Sequence, residues 1–181
     1  MLVAARRAVE EHGWEGATLE RVAAEAGLSR MTLHRRGVSR AGLLAALRAE
    51  LERDYREAMW PALSAPGTAR ERLEQALTAE CRVAERNLEL LGALGGGPRA
   101  AVFHGAGTGG LTREVFVAPL ERLLLDGAAD GSLRDTDAGE TATVLFNLVG
   151  FTYRHLRQGH GWSAARARRA VLRLALDGVA A

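Results

Sequence analysis

Residues 26–40 read AGLSRMTLHRRGVSR, and the N-terminal helices can be predicted outward from this segment. It holds four arginines and no acid, and a serine directly precedes both Arg30 and Arg40. Serine is a preferred N-cap, so each Ser-Arg pair predicts a helix start. A cation in the first helical turn faces the positive end of the helix dipole, which disfavours it unless an anion lies in front. The stretch therefore predicts an anionic partner.

The basic charge of the chain is concentrated around the same stretch. Residues 26–49 carry five arginines and no Asp or Glu, a local charge of +5, whereas the remainder carries 19 arginines against 22 acids, or −3. A basic segment on a slightly acidic body is typical of proteins that bind a phosphate backbone. The chain contains no lysine, so a compositional preference for arginine is the alternative explanation.

The overall composition is that of a globular protein without disulfides. Of the 181 residues, 48% are hydrophobic and 25% charged, and Cys81 is the one cysteine. One cysteine excludes an intrachain disulfide and a multi-cysteine metal site, and no histidine has a partner at metal-ligand spacing. No apolar run approaches the roughly 20 residues that cross a bilayer. We expect a cytoplasmic protein with no metal, no cofactor and no membrane contact.

Apolar residues recur at helical spacing through nearly the whole chain, which predicts an all-α fold. Serine and threonine mark the predicted helix starts, and glycine or proline marks the ends. The predicted N-terminal helices are a first ending at Gly13, a second capped by Thr18, a third capped by Ser29, and a fourth that begins at Ser39 and is broken by Pro61 and the turn residues 64–67. His12 falls on the inner face of the first helix, so we expect it in the core.

The C-terminal part is also predicted to be helical. A long helix is expected from Thr68 to about Leu91, beyond the turn residues 64–67. A segment rich in glycine follows, with a short helix expected around residues 99–104. The remaining predicted helices cover about 111–129, 137–158 and 163–181.

The second and third predicted helices form a helix-turn-helix, because they are short, are joined by a tight turn at Gly27, and the second of them begins Ser-Arg. Such a motif places its second helix in the DNA major groove. At about 100° per residue, the face opposite Leu33 is centred between Met31 and Arg35. Arginine binds guanine with two hydrogen bonds, and methionine can contact a thymine methyl. The predicted base contacts are Arg30, Met31, Thr32 and Arg35.

Helix N-termini predict the contacts to the DNA backbone. Hydroxyls and exposed N–H groups at these positions can bind phosphate oxygens, which points to Thr18, Ser29 and Arg40. Arg36 lies toward the inner edge of the third helix and is better placed for a phosphate than for a base. The alternative is that the caps and arginines belong to an ordinary solvated helical surface.

The segment Ala4 to Leu47, AARRAVEEHGWEGATLERVAAEAGLSRMTLHRRGVSRAGLLAAL, resembles the TetR-like transcriptional regulators. It shares the Gly13-Trp14 pair, the GAT entry at 16–18 and the AGLS turn at 26–29. A looser similarity covers residues 118–151. The family usually has tyrosine at the position of His34 and an aromatic residue at Gly37. A histidine can still donate to a phosphate, so we count His34 among the expected phosphate contacts.

The resemblance implies a regulator without enzymatic activity. Residues 1–46 would form the helix-turn-helix DNA-binding domain and residues 47–181 a helical ligand-binding and dimerisation domain. A homodimeric repressor would bind a pseudo-palindromic operator and leave it when a small-molecule effector binds. The last two helices of each subunit would form the dimer interface, for which the expected residues are Leu145, Leu148, Val149, Thr152, Leu156, Val171, Leu172, Leu174 and Ala175. The alternative is that these residues fill the core of their own subunit.

The resemblance also implies an effector pocket among the central helices. Such pockets are mostly apolar with a few polar groups. The expected lining residues are Trp60, Cys81, Phe103, His104, Phe116, Phe146, Phe151 and Tyr153. Most of these aromatic side chains could equally belong to the core.

Two other functions remain open. Residues Gly105 to Gly110 match the pattern G-x-G-x-x-G, which suggests a dinucleotide-binding enzyme, although that fingerprint requires a preceding strand and an acid about 20 residues later. The second alternative is a helical dimeric scaffold that does not bind DNA.

Overall fold

The computed structural model of the chain describes residues 1–94 and 113–181, and in these ranges the fold is all-α, as predicted. An isolated bridge between Leu133 and Ala180 is the one pairing of strand type in the described ranges. The helices are α1 (Leu2–Gly16), α2 (Leu19–Glu25), α3 (Arg30–Arg35), α4 (Arg40–Ser64), α5 (Ala69–Arg86), α6 (Leu88–Leu94), α7 (Ala118–Asp130), α8 (Ala138–Gln158) and α9 (Ala164–Val179), and a π-helical turn, Arg113–Val117, precedes α7.

The predicted N-caps of the N-terminal helices are confirmed. The Thr18 hydroxyl accepts from the Arg21 N–H at 3.3 Å, and the Ser29 hydroxyl accepts from the Thr32 N–H at 3.1 Å. The Ser39 hydroxyl likewise accepts from the Gly42 N–H, in the first turn of α4, at 3.1 Å. Each cap satisfies one of the donors that a helix start leaves without an intrahelical partner.

One predicted helix end is confirmed and one lies slightly later. The backbone leaves the helical conformation at Gly13, which has φ 67° and ψ 168°, and a second short helical segment continues from there to Gly16. The fourth helix passes through Pro61 and ends at Ser64, the first of the predicted turn residues. A proline in the last turn removes only one backbone hydrogen bond, so the helix can tolerate it there.

The long helix expected from Thr68 to about Leu91 is broken at Asn87 into α5 and α6. Asn87 is buried, and its amide oxygen accepts a hydrogen bond from Arg6 Nη2 at 2.6 Å. A polar side chain buried at this point needs such a partner, and the partner comes from α1, which lies 81 residues earlier in the sequence.

His12 is exposed, which corrects the expectation that it belongs to the core. The buried face of α1 consists of Ala4, Ala5, Ala8 and Val9. His12 continues the same spacing, but the helix kinks at the next residue, and the imidazole lies at the surface 3.9 Å from the Glu11 carboxylate.

The chain divides into two compact units. Unit one comprises Met1–Glu52 and the segment that begins at Asn87 and includes α6, whereas unit two comprises Arg53–Arg86 and the C-terminal part that contains α7, α8 and α9. The boundary expected from the sequence, 46/47, lies six residues earlier and leaves α6 out of the first unit. The expected short helix at 99–104 lies outside the described residues.

Each unit has its own apolar core. The core of unit one includes Ala8, Val9, Val22, Leu33, Leu47 and Leu90. In unit two the fully buried side chains include Leu73, Leu77, Leu120, Leu123 and Tyr153. Complete burial of a leucine contributes roughly 1.5–3 kcal/mol, which opposes the conformational entropy lost when the unit folds.

Candidate functional site

Two glycines with positive φ delimit α3 and thereby orient it. Gly27 has φ 64° and Gly37 has φ 66°, and a Cβ added at either position would meet no atom within 4 Å. The glycines are therefore needed for their backbone conformation rather than for space. Each terminates the preceding helix in the same way: Leu28 N–H donates to Ala23 O at 2.9 Å, and Val38 N–H donates to Leu33 O at 3.1 Å.

Leu33 anchors α3 in the core of unit one, and the predicted reading face lies on the opposite side. Leu33 is the buried side chain of this helix. Arg30 and Arg35 are exposed, and Met31 is 66% exposed. Thr32 is half-buried, and its N–H donates to the N-cap of the helix. The structure therefore brings together, on one accessible helix, the four side chains that the sequence predicted as base contacts.

Arg30 is paired with an acid of the neighbouring helix. Its Nη1 lies 2.7 Å from Glu20 Oε1, and both side chains are largely exposed. Hydrogen bonds from the Glu20 backbone and from Thr18 lower the pKa of this carboxyl, and the charge of Arg30 lowers it further. Solvent screens an exposed pair of this kind, so the pair stabilises the fold little and an incoming phosphate can replace it. No feature of the sequence indicated this pairing.

Arg40 differs from the other predicted phosphate contacts because its side chain packs against α1. Its Nη2 donates to the Trp14 carbonyl at 2.5 Å, and its guanidinium lies 4.8 Å from the centre of the Trp14 ring. The Glu15 carboxylate is 3.8 Å from the same nitrogen. This arginine therefore joins the start of α4 to the end of α1.

The remaining predicted phosphate contacts are accessible. His34, Arg36 and Ser29 are exposed, and Thr18 is half-buried. The Thr18 and Ser29 hydroxyls accept hydrogen bonds as N-caps. The Thr18 hydroxyl also bonds to the Glu20 carboxyl, and the Ser29 hydroxyl lies 3.0 Å from the Thr32 hydroxyl, so contact with an anion would replace these bonds.

The residues predicted for the effector pocket fall into three groups. Phe103 and His104 lie outside the described residues. Trp60 is 69% exposed and Phe151 is 41% exposed, so these two lie at the surface of unit two. The others lie inside unit two: Cys81, Phe116 and Tyr153 are buried, and Phe146 is half-buried.

Phe116 and Phe146 belong to an aromatic cluster that also contains Tyr55. The ring centres of Tyr55 and Phe116 are 4.8 Å apart, and those of Phe116 and Phe146 are 5.5 Å apart. The Tyr55 hydroxyl donates to the Phe116 carbonyl at 3.0 Å. Tyr55 was not among the residues predicted for the pocket.

Glu80 is an unexpected buried acid in unit two. It is 3% exposed, and among the described residues neither carboxylate oxygen has a well-aligned hydrogen-bond partner, although the backbone N–H of Gly150 lowers the pKa of the carboxyl somewhat. Burial raises the pKa of this carboxyl well above its usual value, and burial together with Glu80 raises the pKa of Cys81 to about 12. An acid on the apolar face of the amphipathic helix α5, three residues after Leu77, was the signal that could have identified it.

Tyr153 takes part in a polar network between α5 and α8. Its hydroxyl donates to Glu85 Oε2 at 2.7 Å, and Arg157 donates to both oxygens of the same carboxylate, at 2.8 and 2.7 Å. The hydrogen bonds from Arg157 are the main cause of the lowered pKa of Glu85. The phenol of Tyr153 is therefore already bonded within the protein.

The residues predicted for the dimer interface lie on two different faces. Leu145, Val149, Val171, Leu172 and Ala175 are buried in unit two, which agrees with the alternative that they fill the core of their own subunit. Thr152 and Leu156 are half-buried, and Leu148 and Leu174 are exposed.

The exposed apolar side chains of α8 and α9 define a surface that we name the outer stripe, formed by Val144, Leu148, Phe151 and Leu174. The first three lie at spacings of four and three residues, on one side of α8, whereas Leu145 and Val149 lie about 100° further around the helix. Helix α8 is therefore apolar on two sides, and a surface that is apolar and exposed points to a contact with another molecule.

Other kinds of site receive no support from the described residues. Residues 1–94 and 113–181 contain no group of three His, Cys, Asp or Glu side chains that could hold a metal. None of the helices in these ranges has the length and hydropathy needed to span a bilayer. The glycine pattern Gly105 to Gly110 lies outside the described ranges. The described ranges contain no parallel sheet of the kind that binds a dinucleotide.

Residues 1–47 match the family model for bacterial regulatory proteins of the tetR family. No curated protein matches the chain. Solved structures with the same fold include the TetR family regulator PfmR from Thermus thermophilus, with 21% identity, coverage of 97% of this chain and 96% of that chain, and a TM-score of 0.76. A transcriptional regulator of the TetR/AcrR family from Thermobifida fusca has 22% identity, coverage of 98% and 94%, and a TM-score of 0.73.

Proposed function

We propose that this chain, which has the N-terminal domain and the fold of TetR-family transcriptional regulators, acts in the cytoplasm as a homodimeric repressor of transcription. It binds a pseudo-palindromic operator in double-stranded DNA and leaves it when a small-molecule effector binds. The observation that carries this proposal is the accessible face of α3, on which Arg30, Met31 and Arg35 are exposed while Leu33 holds the helix to the core.

DNA recognition is assigned to α3 and to the helix ends beside it. Arg30, Met31, Thr32 and Arg35 contact base edges in the major groove, where an arginine can bind guanine through two hydrogen bonds. Thr18, Ser29, His34 and Arg36 contact phosphates. Arg40 can reach a phosphate only with N–H groups that are not bonded to Trp14, so its main contribution is to position α4.

Dimerisation is assigned to the outer stripe. Val144, Leu148 and Phe151 form a continuous apolar strip on α8, and Leu174 is exposed on α9. A second copy of the chain would bury these side chains through a two-fold symmetric contact, in which each residue meets the same surface of its partner. Two copies of α3 would then contact half-sites about one helical turn apart.

Effector binding is assigned to unit two. The aromatic cluster of Tyr55, Phe116 and Phe146 together with the unpartnered acid Glu80 has the composition of a ligand site, mostly apolar with one polar group. Native proteins rarely leave a buried carboxyl without a partner, and a functional role is a frequent reason when they do. Helix α4 runs without a break from Arg40 to Ser64 and so belongs to both units, which makes it the covalent route for a response to the effector.

The test is selection of bound sequences from random duplex DNA with the purified protein, followed by binding measurements at several salt concentrations. We expect enrichment of a sequence with two-fold symmetry and an affinity that falls steeply with salt. Absence of salt-dependent binding to any duplex would favour the scaffold alternative. Retention on a dinucleotide resin, together with absence of DNA binding, would favour the enzyme.

A further inference from the structure

Unit two contains an open groove of about 490 Å³ between α5 and α9. Arg82 lines it from α5, and Arg168, Arg169 and Arg173 line it from α9. We name it the arginine groove after these four residues. Its volume lies within the range of small-molecule sites, roughly 300–1,000 Å³.

The charge of the arginine groove is not neutralised within the protein. In the part of the chain that the structure describes, none of its four guanidinium groups makes an ion pair or a hydrogen bond. Elsewhere in unit two, arginines are commonly paired: Arg72 lies 3.3 Å from Asp126 and Arg113 lies 2.7 Å from Glu121. Among the described lining residues Glu74 is the one acid, so four positive charges against one negative charge leave three.

The helix register concentrates these charges. Arg169 and Arg173 are four residues apart on α9, and like charges at this spacing repel each other and destabilise a helix. Arg82 faces them from α5, so the repulsion also acts between the two helices. A concave surface lined by one sign of charge concentrates ions of the opposite charge. The clustered arginines destabilise the fold but favour the binding of an anion, which suggests a functional reason for the cluster.

The arginine groove also has apolar and neutral polar lining. Leu172 and Leu176 reach it from α9 with 9% and 8% of their surface exposed. Thr78 adds a hydroxyl from α5, one helical turn before Arg82. The groove can therefore contact both an anionic group and the apolar body to which that group is attached.

The arginine groove and the outer stripe lie on different sides of α9. At about 100° per residue, Leu174 is about 160° around the helix from Leu172. A second copy of the chain that covers Leu174 therefore leaves the groove side of the helix open.

We propose that the arginine groove binds a small organic anion with an apolar body, a ligand that neither the DNA-binding surface nor the aromatic cluster of unit two accounts for. The guanidinium groups bind a carboxylate, phosphate or sulfonate group through charge-assisted hydrogen bonds, for which the fork of arginine is well suited. Leu172 and Leu176 contact the apolar body. The groove is a short concavity rather than an extended track, which favours a small ligand over a polymer.

The test compares two fluorescent probes of similar shape and different charge. One is 8-anilinonaphthalene-1-sulfonate, an aromatic anion, and the other is N-phenyl-1-naphthylamine, its uncharged counterpart. We expect Arg82→Gln and Arg169→Gln, which alter opposite walls of the groove, each to weaken binding of the anion about tenfold. Binding of the uncharged probe should not change. Arg70→Gln alters an exposed arginine of α5 outside the groove and serves as the matched control, with wild-type affinity expected for both probes.

Three results would overturn the proposal. The first is anion binding by both groove variants with the wild-type affinity, although their circular dichroism and thermal unfolding are unchanged. The second is an equal loss of affinity for the charged and uncharged probes, which would mean that the charge is not recognised. The third is loss of duplex DNA binding by the groove variants with unchanged anion binding, which would assign the arginines to nucleic acid. DNA binding by the wild type, measured separately, tests the regulator function and does not depend on any of these results.

Discussion

Arg30 Nη1 lies 2.7 Å from Glu20 Oε1, so the residue that opens the proposed reading helix is already paired with a carboxylate of α2. The cation at the start of α3 therefore has an anion in front of it even without DNA. If Arg30 contacts an operator as proposed, at least the N–H groups of Nη1 are shared between this carboxylate and the DNA. We therefore expect Glu20 to compete with DNA for Arg30 and to place a negative charge near the phosphate backbone.

Glu20→Gln should strengthen binding to all duplexes. The substitution keeps the size of the side chain, releases Arg30 and removes the repulsion between the carboxylate and DNA. We expect affinity to rise about three- to tenfold at low salt, with a smaller gain at high salt because salt screens exposed charges. Fluorescence anisotropy with labelled duplexes at two salt concentrations measures the effect.

Glu25→Gln is the matched control for this substitution, because it removes an exposed acid of the same helix that makes no ion pair with α3 among the described residues. A control variant that gained as much affinity as Glu20→Gln would show that only the net charge matters. Weaker binding by Glu20→Gln would mean that the pair with Glu20 positions Arg30 for DNA rather than competing with it.

Arg35→Ala and Arg36→Ala should differ in what they remove. Arg35→Ala should remove a base contact. We expect it to lose about 1–3 kcal/mol of binding free energy at the preferred operator and to relax the sequence preference at one base pair. Arg36→Ala should weaken all duplexes alike and lower the dependence of log affinity on log salt by about one. Titrations against the selected operator and single-base variants distinguish the two, and the opposite assignment of effects would contradict the orientation of α3.

Arg40→Ala should lower the free energy of unfolding of the protein, in contrast to Arg36→Ala. It removes a hydrogen bond to the Trp14 carbonyl and a contact with the Trp14 ring, which together contribute about 1–2 kcal/mol. Chemical denaturation followed by tryptophan fluorescence measures the loss. Equal stability of the two variants would mean that the contact with α1 is too exposed to contribute, and Arg40 would then be free to act as a phosphate contact only.

Phe151→Asp and Leu174→Asp should convert a dimer into a monomer. Each places a charge in the apolar outer stripe, and burial of an unpaired charge is strongly unfavourable, whereas the monomer leaves it in water. Sedimentation velocity at micromolar concentration measures the change. Leu125→Asp provides the control, because Leu125 is exposed on α7 and does not belong to the stripe. Dimers of unchanged stability in both stripe variants would place the interface elsewhere.

Glu80→Gln should stabilise the protein, and the gain should grow with pH. Burial raises the pKa of Glu80 in the folded protein, so its carboxyl keeps its proton at pH values where the unfolded chain has lost it. Unfolding then releases a proton, and the free energy of unfolding falls as the pH rises above about 4, by at most about 1.4 kcal/mol per pH unit. Glutamine does not titrate and should not show this contribution.

Denaturant titrations of the wild type and Glu80→Gln between pH 5 and 8 measure this dependence. Glu74→Gln, which alters an exposed acid of the same helix, should follow the wild type. Tyr55 and Cys81 are the titratable groups beside Glu80, and burial raises the pKa of both, so they stay uncharged over this range. A difference between wild type and Glu80→Gln that did not change with pH would mean that the carboxyl is ionised when buried.

The all-α fold, the starts of the N-terminal helices and the accessible face of α3 could all be predicted from the amino-acid sequence. These features depend on local chemistry: a hydroxyl that caps a helix lies within three residues of the N–H that it binds, and Leu33 is separated from Met31 and Arg35 by less than one turn. The spacing along the chain therefore contains nearly all the information that is needed.

The sequence did not show which of several apolar helix faces would be buried or which charged side chains would pair, because both depend on tertiary packing. Leu145 and Leu148 are both apolar residues of α8, and packing against the other helices of unit two buries only the first. The pairing of Arg40 with Trp14, the break at Asn87 and the burial of Glu80 likewise depend on residues from distant parts of the chain. Periodicity shows that a helix has an apolar side, but the contact that side makes depends on how the helices are arranged in space.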